Sequence, residues 1–206
     1  MKIKQKGLAL DIDETLSRTN GHWFKTLIKK FGNPEKLTVE EILKNYRYTN
    51  NVPYWQAKEA HEWMEEQRHS NDMQRELPLI ENANHTVEKI NKIIPISAYI
   101  TVRPDTVIEG TKDWLLQHNF PLAPIICRPK NVEFTQGNKW KANLLHKLYP
   151  KILGIIDDNP ELLEHLPKDY KGTVFVYGLE KIETKINAIP CKDWNTVLKE
   201  VEKKFK

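Results

Sequence analysis

Gly7-Leu-Ala-Leu-Asp-Ile-Asp-Glu-Thr15 is a short apolar run that stops abruptly in carboxylates. Runs of about four to eight apolar residues, bounded by polar signals, suit a strand buried on both faces of a sheet. The first strand is therefore placed at Gly7–Ile12. The same texture returns in Gly154-Ile-Ile-Asp-Asp-Asn159, and Ile96–Val102, Ala123–Cys127, Ile152–Ile156 and Thr173–Tyr177 read as further strands. Helical patterns separate them. Val87, Ile90, Ile93 and Ile94 share one face, as do Trp140, Leu144, Leu145 and Leu148, and later Trp194, Val197, Leu198, Val201 and Phe205. Asn159-Pro-Glu161 is a helix start signal, with Asn as the cap and Pro in the first turn. Strands that alternate with helices predict an α/β chain whose parallel sheet is covered on both faces.

The distance from Asp13 to Thr101 greatly exceeds the roughly 30 residues of a strand–helix–strand unit. The surplus is polar, aromatic and helix-patterned. Phe24, Leu27, Ile28 and Phe31 keep a 3.6-residue period and stop at Gly32, and Thr38-Val-Glu-Glu41 is a capping-box pattern. Tyr54 to about His69 reads as one long helix bearing Trp55, Trp63 and Met64. The chain thus divides into an α/β core, 1–16 and 79–206, and a small helical subdomain, 17–78, inserted after the first strand.

With 206 residues, 32 Lys or Arg against 28 Asp or Glu and a net charge of +4, the chain is too balanced for a disordered polyelectrolyte. The charge is also too small and too evenly spread for a nucleic-acid binder. No apolar stretch approaches the roughly 20 residues of a membrane span. The N-terminus has no signal-peptide core and there are only two cysteines, so a cytoplasmic location is expected.

Asp11 and Asp13 follow the first strand, and Asp157 and Asp158 end the fourth. In a doubly wound sheet, ligands bind outside the carboxyl ends of the strands, so these acids converge there. Clustered carboxylates repel one another unless a cation joins them, and hard oxygen donors point to Mg²⁺. Thr101 at the end of Ile96–Val102, and Lys139 and Lys141 at a helix start, complete the set. Taken singly, each signal has an ordinary reading as a turn, a cap or a solvated charge; their joint occurrence in this order does not.

These residues resemble the motifs of the haloacid dehalogenase (HAD) superfamily of phosphohydrolases. Asp11-Ile-Asp-Glu-Thr15 matches its DxDx[TV] motif. Tyr99-Ile-Thr101, followed by Arg103-Pro104, matches the strand ending in Ser or Thr, and Ile155-Ile-Asp-Asp158 matches the strand ending in an acidic pair. The family's lysine is usually followed by apolar residues at three, four and seven positions, which fits Lys141; Lys139 could reach the same phosphate. The resemblance implies a Rossmann-like parallel sheet, the HAD fold, with the insertion as a helical C1-type cap.

The resemblance also implies a Mg²⁺-dependent phosphatase that cleaves a small-molecule phosphate monoester, a nucleotide among the options, through an aspartyl-phosphate. Asp11 would be the nucleophile and Asp13 the acid and base. Thr101, the Val102 N–H and Lys141 or Lys139 would hold phosphate. Asp11, the Asp13 carbonyl and Asp157 or Asp158 would hold the metal. The dehalogenase branch lacks the second aspartate, so Asp13 favours phosphoryl chemistry. In the cap, Arg47 and Trp55 lead the candidate substrate contacts, with Tyr46, Tyr48, Tyr54, His61, Trp63, Arg68 and His69 behind them. The alternatives are a nucleic-acid-end phosphatase, which lacks a basic stripe, and a non-catalytic phospho-ligand module, which would not need both Asp11 and Asp13. A receiver domain is disfavoured because strand three ends in Arg128-Pro-Lys130 rather than Asp.

Overall fold

The computed structural model describes residues 3–206. Its sheet comprises β1 (Gly7–Leu10), β2 (Ile96–Pro104), β3 (Ile125–Arg128), β4 (Ile152–Asp157), β5 (Thr173–Tyr177) and β6 (Ala188–Cys191). The order is β3-β2-β1-β4-β5-β6, and every neighbouring pair is parallel. Helices α1 (Thr19–Phe31), α2 (Val39–Tyr46), α3 (Lys58–Arg68), α4 (Asn71–Arg75) and α5 (Ala83–Ile93) lie between β1 and β2. The later helices are α6 (Ile108–Gln117), α7 (Gly137–Leu148), α8 (Glu161–His165) and α9 (Trp194–Phe205). This is a Rossmann-like α/β fold.

Strand alternation explains why helices cover both faces. Successive side chains on β1 point to opposite sides. Leu8 and Leu10 enter a cluster with Val87 and Ile90 of α5, Trp114 of α6, and Val197 and Val201 of α9. Ala9 points the other way, joining Ala142 and Leu145 of α7 and Leu162 of α8. Central β1 is buried throughout, whereas edge strand β3 is only half-buried. No helix among the described residues is long and apolar enough to cross a membrane.

Two local expectations are corrected. β6 has no counterpart in the strand pattern, because Pro190 breaks a four-residue run. Proline is tolerated there because β6 is an edge strand with one side unpaired. The helix expected from Tyr54 to His69 is interrupted: Pro53–Trp55 forms a 3₁₀ turn, Ala57 is extended, and α3 begins only at Lys58. The break lets Trp55 turn inward, where its indole N–H donates to the Gly32 carbonyl at 3.0 Å.

The segment after β1 builds a hydrophobic cluster of its own from Phe24, Leu27, Ile42, Val52, Trp55, Ala60 and Met64. Thr38 and Glu41 close the capping box that starts α2. The chain enters and leaves this segment side by side: the Ile80 N–H donates to the Leu16 carbonyl and the Arg18 N–H to the Pro78 carbonyl, both at 2.8 Å.

Candidate active site

Strand order reverses between β1 and β4, which opens a crevice at their carboxyl ends. Leu10 pairs with Ile156, and the Asp11 N–H donates to the Ile156 carbonyl at 2.9 Å, so Asp11 and Asp157 emerge side by side. Asp158 follows at the lip, tied to the first loop by Thr15. The Thr15 hydroxyl accepts from the Asp158 N–H at 3.1 Å and donates to its carboxylate at 3.4 Å. Oxygen atoms of Asp11, Asp157 and Asp158 lie within 4.8 Å of one another.

Lys141 reaches this cluster from α7. The helix starts close against β2: a Cβ on Gly137 would lie 2.3 Å from Val102 Cγ1, so glycine permits the approach. The buried Lys141 ammonium donates to Asp11 at 2.7 Å and to Asp157 at 2.8 Å. Burial alone would favour the neutral amine, but the two carboxylates outweigh it and hold Lys141 charged. Three carboxylates thus surround one ammonium that bonds only two of them. Burial and the neighbouring Asp157 accordingly push Asp11 up to about 7, against the pull of Lys141. Asp158 is also raised well above the usual carboxylate range, by burial and then by Asp157.

Asp13 faces a different environment. Its carboxylate accepts from Arg103 Nε at 3.0 Å, from Arg103 Nη2 at 2.7 Å and from the Thr19 hydroxyl at 2.6 Å. Burial opposes its ionisation, but the Arg103 charge and these hydrogen bonds win and hold its pKa below the ordinary value. Arg103 is itself 6% exposed, with Nη1 on the Thr111 hydroxyl.

A cavity of about 470 Å³ lies between this sheet edge and the helices that follow β1. That volume falls within the roughly 300–1,000 Å³ of small-molecule sites. Asp11, Asp13, Val102, Lys141 and Asp158 line it, with Trp23, Tyr48 and Arg68 from the helical segment, Arg128 from the end of β3 and Phe134 from the loop after it.

Not every expected residue reaches it. Trp55 is fully buried in the helical cluster, and Arg47 does not line the cavity but meets Glu161, at its border, at 3.5 Å. Of the other aromatic and basic candidates, Tyr48 and Arg68 line the cavity; Tyr46, Tyr54, His61, Trp63 and His69 do not. Lys139 is exposed on α7, two residues and a different helix face from Lys141. Thr101 is buried beneath the wall, where its hydroxyl accepts from the Arg103 N–H at 3.2 Å. Asp157 sits behind Lys141 rather than on the wall, and the Asp13 carboxylate lies outside the three-acid cluster.

The sequence pattern alone assigns no role to Arg103, Thr15 or Arg128. Arg103 stood in the Arg-Pro pair after Thr101, and Thr15 in the acidic motif; Arg128 carried no signal.

No family model matches the sequence, and no curated protein matches it. Solved structures do share the fold. A dehalogenase with an intermediate complex aligns over 100% of this chain and 99% of its own at a TM-score of 0.54, with 11% identity. An L-2-haloacid dehalogenase aligns over 97% and 100% at 0.51, also with 11% identity. At such identity the likeness concerns the backbone alone. From the strand order, the crevice and these alignments together, the chain has the haloacid dehalogenase fold.

Proposed function

We propose that this protein is a Mg²⁺-dependent phosphohydrolase acting on a small phosphate monoester through an aspartyl-phosphate. The observation that carries the reading is Asp13, a second carboxylate two residues after Asp11, turned into the same cavity and held by Arg103 and Thr19. The dehalogenase branch of the family lacks this residue. A departing halide needs no proton, whereas a departing alkoxide does.

The donor set fits a divalent cation: two buried carboxylates, a third at the lip and one ammonium leave two negative charges in excess once all three acids are ionised. Asp11 and Asp158 face the cavity and would hold the ion, whereas Asp157 is occupied by Lys141 and by the Asn159 N–H. When bound, Mg²⁺ supplies charge screening between an attacking carboxylate and an anionic ester.

In the first step an Asp11 oxygen bonds to phosphorus as the ester P–O bond breaks, and the departing oxygen takes a proton through Asp13. Asp13 is ionised beside Arg103 in the resting site and would draw that proton from solvent once the anionic substrate is bound. In the second, water attacks the aspartyl-phosphate, Asp13 takes its proton, and the acyl-phosphate P–O bond breaks to return Asp11. The Arg103 pairing favours the carboxylate form of Asp13, the form the second step uses. Lys141 has three N–H donors and gives two to Asp11 and Asp157, which leaves one for a phosphoryl oxygen. The Val102 N–H lies where β2–β3 pairing skips from Thr101 to Pro104 and would serve a second oxygen. Residues 17–78, whose helices α1–α3 share a core of their own, would act as a cap that supplies leaving-group contacts.

The test is release of inorganic phosphate from an aryl phosphate with Mg²⁺, run beside release of chloride from 2-chloropropionate. Phosphate release that drops at least about 10³-fold in Asp11→Asn supports the reading. Chloride release without phosphate release overturns it.

A further inference from the structure

Among the described residues the cavity holds four cationic side chains, and three have acidic partners. Lys141 pairs with Asp11 and Asp157, Arg103 with Asp13, and Arg68 with Glu65. Arg128 has no carboxylate within ion-pair distance among the described residues. Its Nε–H donates to the Val102 carbonyl at 3.1 Å and its Nη1 to the Val132 carbonyl. Two backbone carbonyls fix the guanidinium without neutralising it. Five N–H donors minus these two leave the Nη2 side of the fork open.

Its position is as telling as its charge. Arg128 ends β3, pairs with Pro104 of β2 and is bonded to Val102, so it stands one strand, about 4.8 Å, from the strand end that frames the phosphoryl group. Five acids line the same cavity: Asp11, Asp13, Glu14, Asp158 and Glu161. A leaving group carrying another anion would be repelled there unless a cation received it.

We propose that Arg128 is a specificity-determining residue whose guanidinium receives a second anionic group, carboxylate or phosphoryl, on the leaving group of the substrate. The proposal rests on the phosphohydrolase reading and narrows its substrate class to phosphate esters with two anions a few bonds apart. Arginine suits the task because its planar fork matches both groups in bidentate fashion.

The experiment measures equilibrium binding of unhydrolysable probes to the full chain with Mg²⁺: ethylphosphonate, 3-phosphonopropionate and propane-1,3-bisphosphonate. At least one two-anion probe should bind about tenfold or more tighter than ethylphosphonate, the range of a charge-assisted pair. The stronger of the two identifies the second anion as carboxylate or phosphoryl. In Arg128→Gln that ratio should fall to within about twofold, and Arg128→Lys should keep part of it. A wild-type ratio near one overturns the proposal even if the variants fail to fold, as does a ratio unchanged in a folded Arg128→Gln. Absence of binding by all three probes removes the phosphoryl site and the proposal together. Because phosphonates are not cleaved, an intact binding ratio beside absent phosphate release would fault the reaction and leave the Arg128 site standing.

Discussion

The carboxyl edge of the sheet and the helical segment after β1 both present polar residues to one cavity, but they position them by different physics. At the sheet edge, Asp11 and Asp157 project from neighbouring strands whose register is fixed by backbone hydrogen bonds. Their place follows from their place in the chain. In the helical segment, position depends on how helices turn about a small aromatic core. There Phe24 and Trp55 pack 5.6 Å apart and Tyr54 meets Trp55 edge-on at 5.3 Å. A shift of two residues moves a side chain from the cavity to the core. Strand ends therefore place polar side chains at predictable positions, whereas the helices place theirs where packing allows.

The sharpest way to break this contrast is to remove the cation that holds the strand ends together. Lys141→Met should abolish phosphate release and leave Asp11 and Asp157 facing each other unpaired. Breaking a buried pair of this kind costs about 3–5 kcal/mol, and in a chain of this size each kcal/mol lowers Tm by about 2–4 °C. Calorimetry with and without Mg²⁺ checks it: the ion should recover more stability in the variant than in the wild type. An unchanged Tm would mean that the cluster is already neutralised by protons.

Trp55→Ala tests the other side. Deleting a fully buried indole costs about 3–5 kcal/mol. The loss should be confined to the helical segment, because its cluster is separate from the two that clamp the sheet. Hydrogen exchange should show faster exchange in α1–α3 with β1 and β4 still protected. A change of ester selectivity without a change in exchange would return Trp55 to the cavity wall.

Metal removal comes next. At a hundredfold excess over its dissociation constant, a ligand of the folded state contributes about 2.7 kcal/mol. Mg²⁺ should raise Tm accordingly and EDTA should stop phosphate release, whereas Asp158→Asn should weaken both effects. A Tm indifferent to Mg²⁺ would argue that Lys141 alone suffices for the three carboxylates.

The same physics explains what the sequence could tell. The parallel sheet was legible because five of the six strands are short apolar runs set between helical patterns, and two of them, β1 and β4, run into acids. β6 was not, since an edge strand tolerates the proline that a central strand forbids. Asp11, Asp13, Asp157, Asp158 and Lys141 were legible as a set because strand-end and helix-start positions converge in this topology. Arg103 was not: an arginine after a strand reads as a solvated charge until the fold brings it 2.7 Å from Asp13, ninety residues away in the chain. Trp55 and Arg47 were misplaced for a related reason. Helical periodicity gives a face but not a partner, and the break at Ala57 that turns Trp55 inward carries no glycine or proline at the break itself.

Arg47→Ala carries the smallest expected effect and probes the seam between the two regions. Arg47 ends α2, lies over the Tyr48 ring at 5.0 Å and meets Glu161, at the start of α8, at 3.5 Å. Both charged side chains are about half exposed. An ion pair in that setting is screened by water and salt and contributes at most about 1 kcal/mol. Tm should therefore fall by less than about 4 °C. Arg47 does not line the cavity, so kcat/KM should change no more than about twofold for any ester, far less than the loss expected on deleting a direct charge-assisted contact. A uniform tenfold fall across esters would mean that the pair does more than decorate the surface. Since Tyr48 and Glu161 both border the cavity, it would be holding the helical segment against the sheet edge, and the two regions would then have to be treated as one functional unit.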